Sequence, residues 1–80
     1  MKINLIQGTF DNNEAIEIIT QIIHVKIKFH ENKIKESSSE EEMKMRENRI
    51  IKLQKDLFEM RNFIKAKTGT IDMQAELLLA

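Results

Sequence analysis

Two histidines are the first side chains in this chain to test for chemistry. His24 and His30 stand six positions apart. Wound on a helix at about 100° per residue, they project roughly 120° from each other and cannot share a metal ion within one helix. His24 shares a face with Glu17 and Glu31, but each lies two turns away, ~10 Å along the axis. No HExxH motif is present, and neither is the Glu-x-x-His pair of di-iron helical bundles. His24 therefore reads as a solvated surface residue. His30 falls in an apolar row and reads as a polar residue at the edge of a core, bonded to a carboxylate such as Glu47. Its alternative use is in a metal site completed across a dimer axis.

Lys26, Lys33 and Arg46 also stand among apolar neighbours. The functional reading is an anion site or a buried ionic network. The plainer one lays their long stems over apolar surface while the heads reach water, Glu42 or Glu47. A charge in a helical seam also fixes register and partner orientation, at some cost in stability.

Signatures of catalysis are missing. The chain has no Cys, no Tyr and two Gly, with no Gly-rich phosphate loop and no GxSxG. Its carboxylates fall on wet faces or near helix starts, away from the pocket a catalytic acid needs. The expectation is a protein that is not an enzyme, with no cofactor and no metal.

Nucleic acid is the next partner class. The 13 basic residues balance 13 acidic ones overall. From Arg49 to Lys67 six basic residues face two acidic ones, a local excess of +4. Acidic residues interrupt that stripe, and no Tyr or Trp is available to stack on bases. An extended arm followed by two helices is similar to the ribbon-helix-helix repressors. Their helices are much shorter, however, and this arm lacks the row of polar and basic side chains that reads a groove. Nucleic acid stays an alternative partner and not the expected one.

The elements that must position these residues follow from periodicity. Eighty residues with no Pro and few Gly form one small domain with little turn punctuation. Residues 1–10 read as a short extended arm, with Ile3 and Leu5 alternating with Lys2 and Asn4. Asp11 precedes Glu14 by three, the spacing of a capping box. Helix 1 is predicted over 12–36, about 37 Å long. One of its rows holds Ala15, Ile18, Ile22, Val25 and Phe29, and another holds Ile16, Ile19, Ile23, Ile27 and Ile34, with His30 in register. Residues 37–39, all Ser, form the loop, and any of them can cap the helix that begins with Glu40, Glu41 and Glu42. Helix 2 is predicted over 40–67, with a seam of Met43, Arg46, Ile50, Leu53, Leu57, Met60 and Ile64. Its steps alternate three and four, as in antiparallel coiled-coil packing. Residues 70–80 read as a tail or short helix capped by Thr70.

A connection that short turns the helices back on each other. In a hairpin turning near Ser38, residues whose numbers add to roughly 76 lie opposite, which pairs Ile23 with Leu53 and puts His30 near Arg46 and Glu47. The expected hairpin core is Ile16, Ile19, Ile23, Ile50, Leu53, Leu57, Met60 and Ile64. Helix 1 is apolar around too much of its girth for one neighbour. Ile18, Ile22, Val25 and Phe29 are therefore expected to form a homodimer interface. The predicted fold class is all-α, a helical hairpin dimerising into a four-helix bundle. No apolar run suits a signal or a membrane span, so the expected setting is the cytoplasm. The expected role is a small non-catalytic interaction or scaffold module. Ile51, Phe58, Leu77, Leu78 and Leu79 are its candidate contacts with an unidentified protein partner. The alternatives are a nucleic-acid-associated or regulatory dimer, and a metal- or ligand-binding bundle.

Overall fold

The capping spacings are realised in the computed structural model, which describes all 80 residues. Asp11 holds an extended backbone and its Oδ1 accepts from the Glu14 amide at 2.8 Å, while Glu14 Oε1 accepts from the Asp11 amide at 3.2 Å. Helix α1 then runs Asn12–Glu36. Of the three serines, Ser39 caps the second helix, its Oγ accepting from the Glu42 amide at 3.3 Å. Ser37 Oγ also donates to Glu42 Oε2 at 3.2 Å. The carboxylates Glu40, Glu41 and Glu42 occupy the first turn of α2, Glu40–Lys65, where the helix dipole favours them.

The two ends of the chain depart from the expectation. Lys2–Asp11 is a strand, β1, and Thr70–Leu78 is a second strand, β2. They pair antiparallel as a two-stranded ribbon, so the element order is β1-α1-α2-β2. The all-α class is overturned, and with it the four-helix bundle and the short C-terminal helix capped by Thr70. Helix α2 also stops at Lys65 rather than Lys67.

The physical reason lies in the tail's own alternation. Ile71, Met73 and Ala75 are half-buried while Asp72, Gln74 and Glu76 are exposed, the period-two signature of a strand with one wet face. Gly69 releases the chain from α2 with φ of +96°, a conformation that a side chain at this position would strain. Across the ribbon, Phe10 faces Ile71, Gly8 faces Met73 and Ile6 faces Ala75. A register shift between Asn4 and Ile6 displaces Leu5 and brings Ile3 opposite Leu77. That bulge restores Ile3 to the face that carries Ile6 and Phe10. Leu5 is turned out and exposed instead.

Several ties close the base of the molecule. Thr9 Oγ1 donates to Asp72 Oδ1 at 2.7 Å across the ribbon. Asn12 Nδ2 donates to the Lys67 carbonyl at 2.7 Å, joining the start of α1 to the turn after α2. At the outer end, the Met1 amino group donates to the Leu79 carbonyl at 2.8 Å and the Leu79 amide to the Met1 carbonyl at 2.7 Å. Only Ala15, Ile23, Leu53 and Ile64 are buried. The Cα atoms span 47 × 32 × 13 Å, so the molecule is scarcely thicker than one helix of ~10–12 Å. No helix is long and apolar enough to cross a membrane.

Candidate functional site

The seam between α1 and α2 is apolar at the base and polar toward the loop. Ile16, Ile19, Ile50, Leu57 and Met60 are half-buried beside the buried Ile23, Leu53 and Ile64. Nearer the loop, His30 and Arg46 meet as opposite positions of the hairpin. Arg46 Nη1 donates to His30 Nδ1 at 3.1 Å. The expected carboxylate partner Glu47 is not used. Arg46 is satisfied on its other side by Glu42, 3.8 Å from Nη2. Its Nε is buried with no hydrogen-bond partner. Phe29 completes the cluster, edge-on to the His30 ring at 5.4 Å between centroids. The Arg46 Cζ and the Lys33 Nζ each stand 5.6 Å from the Phe29 ring centre, which is cation–π range.

A guanidinium can only donate, so His30 Nδ1 must be the acceptor and the ring proton sits on Nε2. Burial lowers the His30 pKa from its usual 6.5, and the charges of Arg46, Arg49 and Lys26 lower it further. The fold thus favours the neutral form of this imidazole. Unfolding restores the ordinary value, so below pH 6.5 the unfolded chain binds more protons than the folded one. Stability should be constant above that pH and fall as the pH drops through the lowered folded value. A pH series of urea midpoints between about pH 8 and 5 checks this. His30→Asn should flatten the slope, whereas His24→Asn, at an exposed position, should leave it.

Comparison with known proteins adds no relative. No protein-family model, curated protein or solved structure matches this chain.

The remaining sites divide cleanly. No three His, Asp or Glu side chains converge as a metal site would require. Ile22 is 40% exposed, Phe29 46% and Val25 69%, with Ile18 half-buried beside them. Their own chain therefore does not shield this row. Ile51 and Phe58 are exposed on α2, and Leu77, Leu78 and Leu79 on the closing end of the ribbon.

Two features went unseen in the sequence. An apolar groove of about 410 Å³ lies between ribbon and helices, with Ile6, Met73 and Ala75 on one wall and Ile22, Met60 and Phe63 on the other. Ile22 belongs both to this groove and to the exposed row of α1, so the two apolar surfaces are continuous. The second feature is a cleft of about 300 Å³ between the helices, lined by Lys26, His30, Arg49, Lys52, Leu53 and Asp56. Arg49, Lys52 and Asp56 are spaced three and four apart on α2. That spacing was visible, but it marked only an outer face until α1 brought Lys26 and His30 alongside.

Proposed function

We propose that this protein is a non-catalytic interaction module that works as a homodimer in the cytoplasm, joined through Ile18, Ile22, Val25 and Phe29 of α1. The observation that carries this is surface area. A compact monomer of 9.4 kDa exposes about 5,000 Å², whereas this chain exposes 6395 Å². The excess of roughly 1,400 Å² exceeds the ~800 Å² each partner contributes to an ordinary stable interface. Fully burying an exposed side chain of this kind is worth about 1.5–3 kcal/mol, and covering the remaining 40–69% of Ile22, Val25 and Phe29 yields a corresponding fraction for each. That is a large contribution for a chain with four buried residues. A second copy is the economical occupant, because a two-fold contact hides the same row on both partners at once.

Sedimentation at micromolar concentration tests the reading. The expected species is a dimer, and a folded monomer at tens of micromolar would overturn it. Val25→Glu should raise the dimer dissociation constant about 100-fold or more, since a carboxylate would be stranded in an apolar contact. The monomer fold should tolerate the change, as Val25 is mostly exposed within its own chain. Helical circular dichroism should therefore persist while the mass halves.

A further inference from the structure

Four of the six residues that line the cleft between α1 and α2 are hydrogen-bond donors, beside Leu53 and Asp56. Lys26 and His30 reach it from α1, and Arg49 and Lys52 from α2. Asp56 is its single carboxylate and lies 3.6 Å from the Lys52 ammonium. Lys26 and Arg49 form no ion pair, since the four pairs in the molecule are Lys2–Glu76, Lys33–Glu36, Arg46–Glu42 and Lys52–Asp56. With His30 neutral, three cations against one carboxylate leave a formal charge of +2 around the cleft. Arg46 occupies Nδ1 of His30, so the Nε2 hydrogen is the one that ring can offer to a ligand.

We propose that this cleft binds a phosphate dianion, free or as a monoester, held by Lys26, Arg49, Lys52 and the Nε2–H of His30. The charge matches a dianion and leaves a carboxylate half neutralised. A guanidinium supplies a fork of paired donors suited to adjacent phosphate oxygens, and the two ammonium groups act as point charges. The site is open to water, so the affinity is modest. Without a ligand, the charges of Lys26 and Arg49 bear unfavourably on a protonated imidazole. With a dianion present that repulsion becomes attraction, and the neighbours that depress protonation of His30 are offset. The charged groups around His30 are Lys26 on its own helix and Arg46, Arg49, Lys52 and Asp56 on α2, with Lys33 and Glu42 joined to the cluster through Phe29 and Arg46.

The test is a nuclear magnetic resonance titration of the full-length chain at constant ionic strength and about pH 8, where a phosphate monoester is a dianion. The probes are inorganic phosphate, glycerol 3-phosphate, dimethyl phosphate and acetate. Inorganic phosphate should give saturable shifts confined to residues around Lys26, His30, Arg49 and Lys52. In a parallel titration at lower pH, where inorganic phosphate is mainly the monoanion, saturating phosphate should still move the His30 pKa upward. Glycerol 3-phosphate binding at least as tightly would assign the site to a monoester, and weaker binding would assign it to the free ion. Dimethyl phosphate and acetate, with one charge each, should bind about 10-fold more weakly.

Lys26→Gln and Arg49→Gln should each weaken phosphate binding about 5-fold or more and shrink the His30 response. Lys44→Gln, outside the cleft, should change neither. All three positions are exposed, so the helical fold should survive and circular dichroism will check it. Shifts that stay linear, that spread over all lysines, or that acetate or dimethyl phosphate reproduces equally would overturn the proposal. The same titration on Val25→Glu should still give saturable shifts at the same residues, so failure of the dimer and failure of this site are separable.

Discussion

Ile64→Ala should remove a large share of the protein's stability. Ile64 is 2% exposed and is the largest fully buried side chain in the molecule. It lines the groove with Ile19 and Met60 and sits near the end of α2, where ribbon and helices meet. Truncating a buried Ile to Ala costs about 2–5 kcal/mol, the spread reflecting how well the cavity can collapse. Small domains hold roughly 5–15 kcal/mol in all, and a chain with four buried residues belongs near the bottom of that range. Urea unfolding followed by far-ultraviolet circular dichroism would measure the loss. Ile50→Ala, at a half-buried position of the same seam, should cost clearly less. A cost for Ile64 below about 1 kcal/mol would mean the centre of stability lies elsewhere. Measurements at two protein concentrations are needed, because dimerisation would add a concentration-dependent term.

Deleting residues 70–80 is expected to have the second largest effect. Strand β2 is the only partner of β1, and an isolated strand has nothing to satisfy its backbone groups but water. The deletion also removes Met73 and Ala75 from the groove, the Thr9–Asp72 bond and both bonds between Met1 and Leu79. We expect the strand signal to vanish while the helical hairpin persists with a melting temperature lower by about 10–20 °C. That is the shift of a ~2–3 kcal/mol loss in a domain of this size. A synthetic peptide covering residues 70–80, added in trans, should restore part of it. Retention of slow amide exchange at Ile6 and Gly8 after the deletion would show that β1 does not depend on β2.

The helices were legible because their signals are local. A cap and its reciprocal carboxylate stand three residues apart, and an apolar row repeats every three or four. The bounds of α1 follow from such short-range evidence, and so does the meeting of His30 with Arg46. The ribbon was not legible, because its evidence is split between the two ends of the chain. Each half is ambiguous alone. Thr70, Asp72 and Glu76 imitate a helix start, and the bulge at Leu5 breaks the alternation of β1 midway. The pairing of Ile6 with Ala75 or Gly8 with Met73 becomes visible only when both halves are laid side by side. The candidate cleft was half legible. Lys26 and His30 stood out as polar residues in an apolar arc, but Arg49, Lys52 and Asp56 looked like an ordinary charged helix face. Glu47 was the wrong partner for His30. At the position opposite His30 an arginine is within reach, and its fork finds the unprotonated ring nitrogen.

The split ribbon has a consequence for biosynthesis. Strand β1 leaves the ribosome well before its sole mate, because both helices are translated between them. While α1 and α2 are being made, Ile3, Ile6 and Phe10 travel with their mate still unmade, next to a helical hairpin that can already form from neighbouring residues. The nascent chain thus carries an orphan sticky edge until β2 emerges. A stalled or prematurely terminated product would keep that edge for good, and such truncated chains should be the ones that chaperones and proteases recognise.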